Sequence, residues 1–347
     1  MREHTLTVAV DGLEKLSYPL SLDPSVVVTS TADFSAGNDE GGIQFDANSI
    51  SATEQTGGNY ADTWTSRGIF DTAGQERGYL ARATYNNYMY IAGGYAGVTT
   101  YDEVRYVLVN SDGTLGVWAN TTALPNQTHS ASMVAYNGYM YVLGGIYAPS
   151  NAAQHKVWVA PINTDGTLGS WTDLTPGFSI DRQNLCAFAY NGYMYVAGGM
   201  NILGSTNSVQ YAEIKADGSL GTWTDTTVLP SKLRGHSMFA SNDYVYVLGG
   251  HNDTSEVANV YYAAINENGT LGAWTATTSL PNILEGHEAF VLSGHVYLVG
   301  GKRGSTYSAN TNYAPIQAGG GLGQWENTAN YTGTRTNLAA MAVGKNV

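Results

Sequence analysis

Cationic residues are scarce in this chain: 15 lysines and arginines stand against 28 aspartates and glutamates, a formal charge of −13 over 347 residues. That balance, with no cluster of Lys and Arg along the sequence, argues against a nucleic-acid partner, because affinity for a phosphate backbone is built on gathered cations. Charge of either sign is thin at 12% of residues, about half the usual share. Cysteine is nearly absent. Cys186 alone excludes an internal disulfide, and its apolar surroundings in "LCAFAY" mark a buried small hydrophobe, not a nucleophile. No stretch approaches the ~20 apolar residues of a membrane span, and "MREHTLTVAVDGLEKL" lacks the apolar core of a signal peptide, so by composition the chain is expected to be soluble. HExxH, CxxC, GxSxG, a phosphate loop and a complete calcium loop are all missing, and no cofactor or metal is expected. The seven histidines, His4, His129, His155, His236, His251, His287 and His295, are dispersed; only folding across an axial channel could bring them together.

What the chain has in excess is glycine, 42 residues, and tyrosine, 25, the residues of turns and of partly exposed strands. They fall in a pattern. "MYIAGG" ends at Gly94, "MYVLGG" at Gly145, "MYVAGG" at Gly199, "VYVLGG" at Gly250 and "VYLVGG" at Gly301, at intervals of 51, 54, 51 and 51 residues. Tryptophans 64, 118, 171, 223, 274 and 325 run in phase, spaced by 54, 53, 52, 51 and 51. Two markers sharing one period define an internal repeat.

Each unit resolves into four strands. In one of them "HSMFAS" leads through "ND" into "YVYVLGG", "NVYYAAI" is the third strand, and "NENGTLGAW" turns into the fourth. Asn-Gly and Asp-Gly recur in "YNG", "DGTLG", "DGSLG" and "NGTLG", as hairpins needing positive φ require. A lone sheet of this size cannot cover both its apolar faces, whereas radial stacking of such sheets covers them and shortens the exposed edges. In that arrangement the Gly-Gly pair marks a crowded backbone and the tryptophan packs between neighbouring sheets.

The period near 50, the "YNGYMYVAGG" phrase and the Tyr and Trp positions after it resemble the kelch family of β-propellers over roughly residues 65–343. The resemblance implies an all-β, kelch-type β-propeller of four-stranded blades, and leaves function open among adhesion, ligand binding, adaptor and occasional enzymatic roles. Family members often carry Arg and His before the first strand. Arg234, His236 and His287 fit that habit, while Leu80 and Leu185 occupy the histidine place in other units, so the position is read as interblade packing. Copper radical oxidase chemistry, known on such a propeller, needs a Tyr–Cys link, a second tyrosine and two histidine ligands. Cys186 stands in a repeated strand opposite Ala81 and Ser237, and no such ligand pair matches.

Five complete units run from near Trp64 to Trp325, and "TRTNLAAMAVGKNV" begins a sixth. "GGIQFDANSISATEQTGGNYADTW" places Gly42 22 residues before Trp64, close to the 24 between Gly94 and Trp118. Six blades are therefore expected, the last closed by both termini, with seven as the alternative. Residues 41–347 are assigned to the propeller. Residues 1–40, with "TLTVAV" and "SVVVTS" as strands, form part of the closing blade, an appendage, or a pairing surface for a homo-oligomer or larger assembly.

Variation is concentrated after each Gly-Gly: "YAGVTTYDEV", "IYAPSNAAQHKV", "MNILGSTNSV", "HNDTSEVANV" and "KRGSTYSANT". These segments are free of the common core and are expected to emerge on one face. Tyr95, Tyr101, Tyr147, His251, Asn252, Lys302 and Arg303 are the candidate ligand-binding rim, suited to a protein or a sugar face. The expected function is a non-enzymatic recognition or structural module in an exterior setting, in a cell-surface adhesin or a virus or phage particle. Sequons at 120–122, 126–128, 252–254 and 268–270 permit glycosylation only where the compartment does. The alternatives are a carbohydrate-active hydrolase at the propeller centre, which needs converging carboxylates and arginines, and an intracellular kelch adaptor.

Overall fold

The repeated phrases build five antiparallel sheets in which strands a, b, c and d follow one another in chain order, the last of them with the short strand Thr306–Tyr307 added on its b strand. A computed structural model of the chain describes residues 42–45, 50–53 and 77–342, save 149, 329, 331–335 and 339. Blade I comprises Ala81–Tyr85, Tyr88–Ala92, Val104–Leu108 and Ala119–Thr121. Blade II comprises Ser132–Tyr136, Tyr139–Leu143, Val157–Pro161 and Thr172–Asp173. Blade III comprises Cys186–Tyr190, Tyr193–Ala197, Val209–Glu213 and Thr224–Asp225. Blade IV comprises Ser237–Ser241, Tyr244–Leu248, Val260–Ala264 and Thr275–Ala276. Blade V comprises Glu285–Leu292, His295–Arg303, Thr311–Pro315 and Glu326–Asn327.

Strand b is apolar throughout because both faces of each sheet are covered. Tyr141, Val142 and Leu143 are all buried, on alternating faces of one strand. The core accordingly lies between blades: Tyr90 and Val104 of blade I pack with Met140 and Val142 of blade II, and the same pairing recurs from II to III, III to IV and IV to V.

All five a–b turns hold two consecutive residues at positive φ, for example Asn137 at 47° and Gly138 at 79°, the geometry of a type I′ hairpin. The "DGTLG" turns differ from the two-residue hairpin expected of Asp-Gly. Only the glycine takes positive φ; the Gly113 N–H donates to the Asn110 carbonyl at 2.8 Å, and the Asp112 carboxylate accepts the Thr114 N–H at 2.9 Å and hydroxyl at 2.6 Å. This leaves the glycine carbonyl outward. The b-strand tyrosine of the preceding blade donates to it: Tyr90 to Gly166 (2.8 Å), Tyr141 to Gly218 (2.9 Å) and Tyr195 to Gly269 (2.9 Å). The repeated tryptophans are also interblade links, Trp171 donating to the Thr122 carbonyl at 3.0 Å and Trp274 to that of Thr227 at 3.3 Å. The Gly-Gly pair is crowded as expected: a Cβ on Gly145, at φ 90°, would lie 2.7 Å from both the Ala131 methyl and the His129 carbonyl oxygen.

Ring closure involves the C-terminal segment. The Asn337 N–H donates to the Gly286 carbonyl of blade V at 2.8 Å, and the Asn337 carbonyl accepts the Tyr79 N–H beside blade I at 3.2 Å. This is the place of a closing blade; the other strands expected for it, and with them the blade number, lie outside the described residues. Packing divides the chain into units Met1–Asp62 and Thr63–Val347. In the first, Gly42–Phe45 pairs antiparallel with Ile50–Thr53. Residues 1–40 lie outside the described residues.

Candidate functional site at the loop end of the blades

An antiparallel a-b-c-d order sends the b–c and d–a connections to one end of each blade and the tight a–b and c–d turns to the other. The tight turns repeat, while the loop end varies. There the b–c segments form short hairpins, such as Tyr95–Ala96 with Thr99–Thr100 and Met200–Asn201 with Gly204–Ser205. In blade II, Ile146–Tyr147 pairs with both Ala152–Ala153 and Thr128–His129.

These hairpins are latched from blade to blade. The Asp253 carboxylate of blade IV accepts the Ser205 N–H (2.9 Å) and hydroxyl (2.6 Å) of blade III and pairs with Arg234 at 2.6 Å. Those donors hold it well below the usual carboxylate range. The Glu256 carboxylate accepts the Gly304 N–H of blade V at 2.9 Å. The loop end is therefore a preorganised surface, which lowers the ordering cost of binding.

All seven rim candidates lie at this end, on four blades. Tyr95 packs on His129 at 5.3 Å, and Tyr101 covers the Arg77 guanidinium at 3.9 Å, itself paired with Glu103. Tyr147 lines a pocket described below. His251 and Asn252 are engaged by their own loop: His251 Nδ1 accepts the Asp253 N–H at 3.0 Å, and Asn252 Oδ1 accepts the N–H groups of Thr254 and Ser255 at 3.0 and 2.9 Å. Lys302 pairs with Glu285 at 2.7 Å, which raises its pKa, and Arg303 is exposed.

Two features of this end escape a reading by rim segments. The first is Trp158, the seventh tryptophan and the only one out of phase with the repeat. It lies with Tyr147, Leu124 and Val142 around a pocket of about 160 Å³, with Asn126 and Lys156 also in its lining. The second is a set of apolar loop tips: Val98 is 95% exposed, Ile202 99%, Leu203 91% and Tyr307 51%. A count of aliphatic residues at hairpin tips, where Gly, Asn and Asp are usual, could have found them.

Buried polar groups lie closer to the core. Arg182 is fully buried without a carboxylate; it donates to the Gly198 and Ser208 carbonyls, the Ser208 hydroxyl and Gln210 Oε1 at 2.9–3.3 Å. Gln210 in turn donates to Asp225 at 2.9 Å, and burial lowers the arginine to about 10, so it stays charged at neutral pH. Arg82 of blade I pairs with Glu288 of blade V and reaches the Ala340 carbonyl at 3.5 Å. The Cys186 thiol donates to the His236 carbonyl at 2.9 Å and burial pushes it up to about 12, a bonding role that the Ser237 hydroxyl repeats on the His287 carbonyl one blade on. His236 and His287 are 4% and 3% exposed between blades, where Leu185 and Leu80 stand elsewhere.

The described arginines are dispersed over separate contacts, without the cluster a sialidase-type centre needs, and among the described residues no group of three or more His, Cys, Asp or Glu could hold a metal ion. No helix among the described residues is long and apolar enough to cross a membrane.

No family model matches the chain. It is similar to Kelch-like protein 40 of Xenopus laevis, 25% identical over 133 residues that make up 38% of this chain and 20% of that protein. It is likewise similar to Kelch-like protein 34 of Homo sapiens, 25% identical over 222 residues, 60% of this chain and 32% of that protein. The chain thus spans about a fifth to a third of the length of these relatives. Among solved structures it is similar to YjhT at 16% identity, with a TM-score of 0.60 over 75% of this chain and 86% of that one, a likeness of fold.

Proposed function

We propose that this chain, a kelch-type β-propeller by its repeats and its fold, is a protein-interaction module that receives its partner on the loop end of the blades. One observation carries the reading: rigid hairpins at that end hold out Val98, Ile202 and Leu203 at 91–99% exposure. Aliphatic side chains contribute nothing to their own core from such positions and gain about 1.5–3 kcal/mol each when a partner buries them. Their spread over blades I and III makes a broad face and not a small-molecule cleft. The similarity to Kelch-like proteins agrees with a protein partner.

The test is a photo-crosslinking residue at position 203, with position 117 as the control, since Val117 is equally bare (90%) on the c–d turn at the opposite end. A protein joined at 203 and not at 117, which then binds the purified chain and binds an Ile202→Ser/Leu203→Ser variant at least about tenfold more weakly, is the expected result. Equal adducts at both ends, or a partner indifferent to the substitutions, refute the reading.

An exterior setting, at a cell surface or in a virus or phage particle, is supported by the low Lys and Arg content and the abundance of Thr and Asn. Fractionation of source cells tests it, and retention in the cytosol would favour the adaptor alternative.

A further inference from the structure

We infer that the Ile202–Leu203 tip of one chain seats in the Trp158 pocket of a second copy, and reciprocally, so that the loop end carries a self-complementary patch on blades II and III. The inference rests on the reading of that end as an interaction face.

The tip is built to protrude. Ile202 and Leu203 are 99% and 91% exposed at the turn of the Met200–Ser205 hairpin. The Leu203 N–H donates to Asn201 Oδ1 at 2.8 Å, and Ser205 is clamped by the Asp253 carboxylate. That clamp, on the blade IV side, holds the tip in its extended place.

The pocket is built to receive one side chain. Its volume of about 160 Å³ is close to that of an apolar cavity of about 150 Å³ that takes a benzene-sized guest, and below the ~300–1,000 Å³ of small-molecule sites. Leu124, Val142, Tyr147 and Trp158 supply the apolar part of its lining, beside Asn126, Thr128, Gln154 and Lys156, and an isoleucine or leucine side chain matches that part in chemistry and the whole in size.

Pocket and tip are neighbours. Strand Ala152–Ala153, which pairs with Ile146–Tyr147 at the pocket, packs against Met200–Asn201 of the tip hairpin. Adjacent, mutually complementary features on one face are what a two-fold axis requires, because rotating one copy onto the other lays each tip over the other's pocket. The area engaged is small and each copy carries a formal −13, so the dimer is expected to be weak, with a Kd on the order of micromolar.

Sedimentation velocity of the full chain from about 1 to about 100 µM, with Kd read by mass action, tests this. The parent should pass from monomer to dimer. Leu203→Asp, Trp158→Ala and Asn126→Arg, the last adding a bulky charged side chain to the pocket lining, should each weaken the dimer by at least about tenfold, with thermal melts checking that each variant folds. Mixing Leu203→Asp with Trp158→Ala should restore association in part, since that hetero-pair keeps one intact tip and one intact pocket. A parent that stays monomeric throughout overturns the exchange and leaves the partner reading to the cross-link at 203. A dimer that forms unchanged in both Leu203→Asp and Asn126→Arg, or a mixture with no recovery, also overturns it.

Discussion

Replacing His236 and His287 together by leucine should remove most of the acid sensitivity of this propeller between about pH 7 and about pH 5. Both rings are buried between blades, the nitrogens of His236 without a hydrogen-bond partner among the described residues and His287 beside the Leu248 backbone. Burial holds His236 down to about 3, with His287 nearby adding to the effect, and His287 down to about 4, against an ordinary 6.5. In the unfolded chain each histidine takes up a proton as the pH falls below 6.5, whereas in the native state neither does until far lower. Their contribution to stability is thus complete above the unfolded pKa and is lost progressively as the pH falls from there towards the folded values. At about pH 5 the loss is about 2 kcal/mol for each histidine, or about 4 kcal/mol for the pair, and it is insensitive to the folded value so long as that lies well below 5. Leucine is the replacement the protein already uses, Leu80 packing on Gly94 and Leu185 on Gly199 as His236 packs on Gly250. The measurement is urea unfolding of the full chain by tryptophan fluorescence at about pH 7, 6 and 5, parent beside double variant. The variant should be at least as stable at pH 7, because it removes unpartnered buried nitrogens. It should also keep most of the ~4 kcal/mol that the parent loses. Equal losses in the two proteins would refute the reasoning. The lowered carboxylates Asp165, Asp173, Asp217, Asp253 and Glu256 titrate in a lower window, and His129, which burial also lowers, adds a loss of the same sign as the pH falls; all are common to both proteins.

The b-strand tyrosines offer an internal contrast: Tyr195→Phe breaks the bond to Gly269 and should cost about 1 kcal/mol by urea midpoint, while Tyr246→Phe should cost nothing, because the buried Tyr246 hydroxyl has no partner. Gly145→Val should lower the melting temperature by more than 10 °C or abolish folding, since its Cβ would lie 2.7 Å from two neighbours. A parent-like melt would show that the blades can part there. Arg82→Ala should cost more than about 2 kcal/mol and Arg82→Ala with Glu288→Leu appreciably less, because the single change strands a largely buried carboxylate. Equal losses in a denaturation series would deny the pair a role in closing the ring.

Recurrence made the fold legible. A residue that repeats in every unit does one job many times, and Gly144–Gly145, Asn137–Gly138 and Trp171 could be read as crowding, turn and interblade roles from the sequence, while Tyr141 was legible only as a strand residue and its interblade bond was not. The Asp-Gly turns were legible as turns but not in kind, since whether the aspartate or the glycine takes positive φ depends on the Thr114-type bond inside the loop. The rim was legible as a set of variable segments, and its seven candidates do share one end, but its chemistry was not. His251, Asn252 and Lys302 look like free ligand groups in a linear string, and the fold spends their polar atoms on Asp253, Thr254, Ser255 and Glu285.

Local pattern alone determined the strands, the hairpins, the stacked-sheet architecture and which end of each blade varies, because these follow from alternation, turn chemistry and period. Only the tertiary structure decided that Trp158 opens on a pocket, that Ile202 and Leu203 stand in water, that Arg182 is buried on neutral acceptors and that Arg82 meets Glu288 across the seam. None of these contacts and exposures recurs from unit to unit, and exposure or pairing of that kind exists only once the blades have been set against one another.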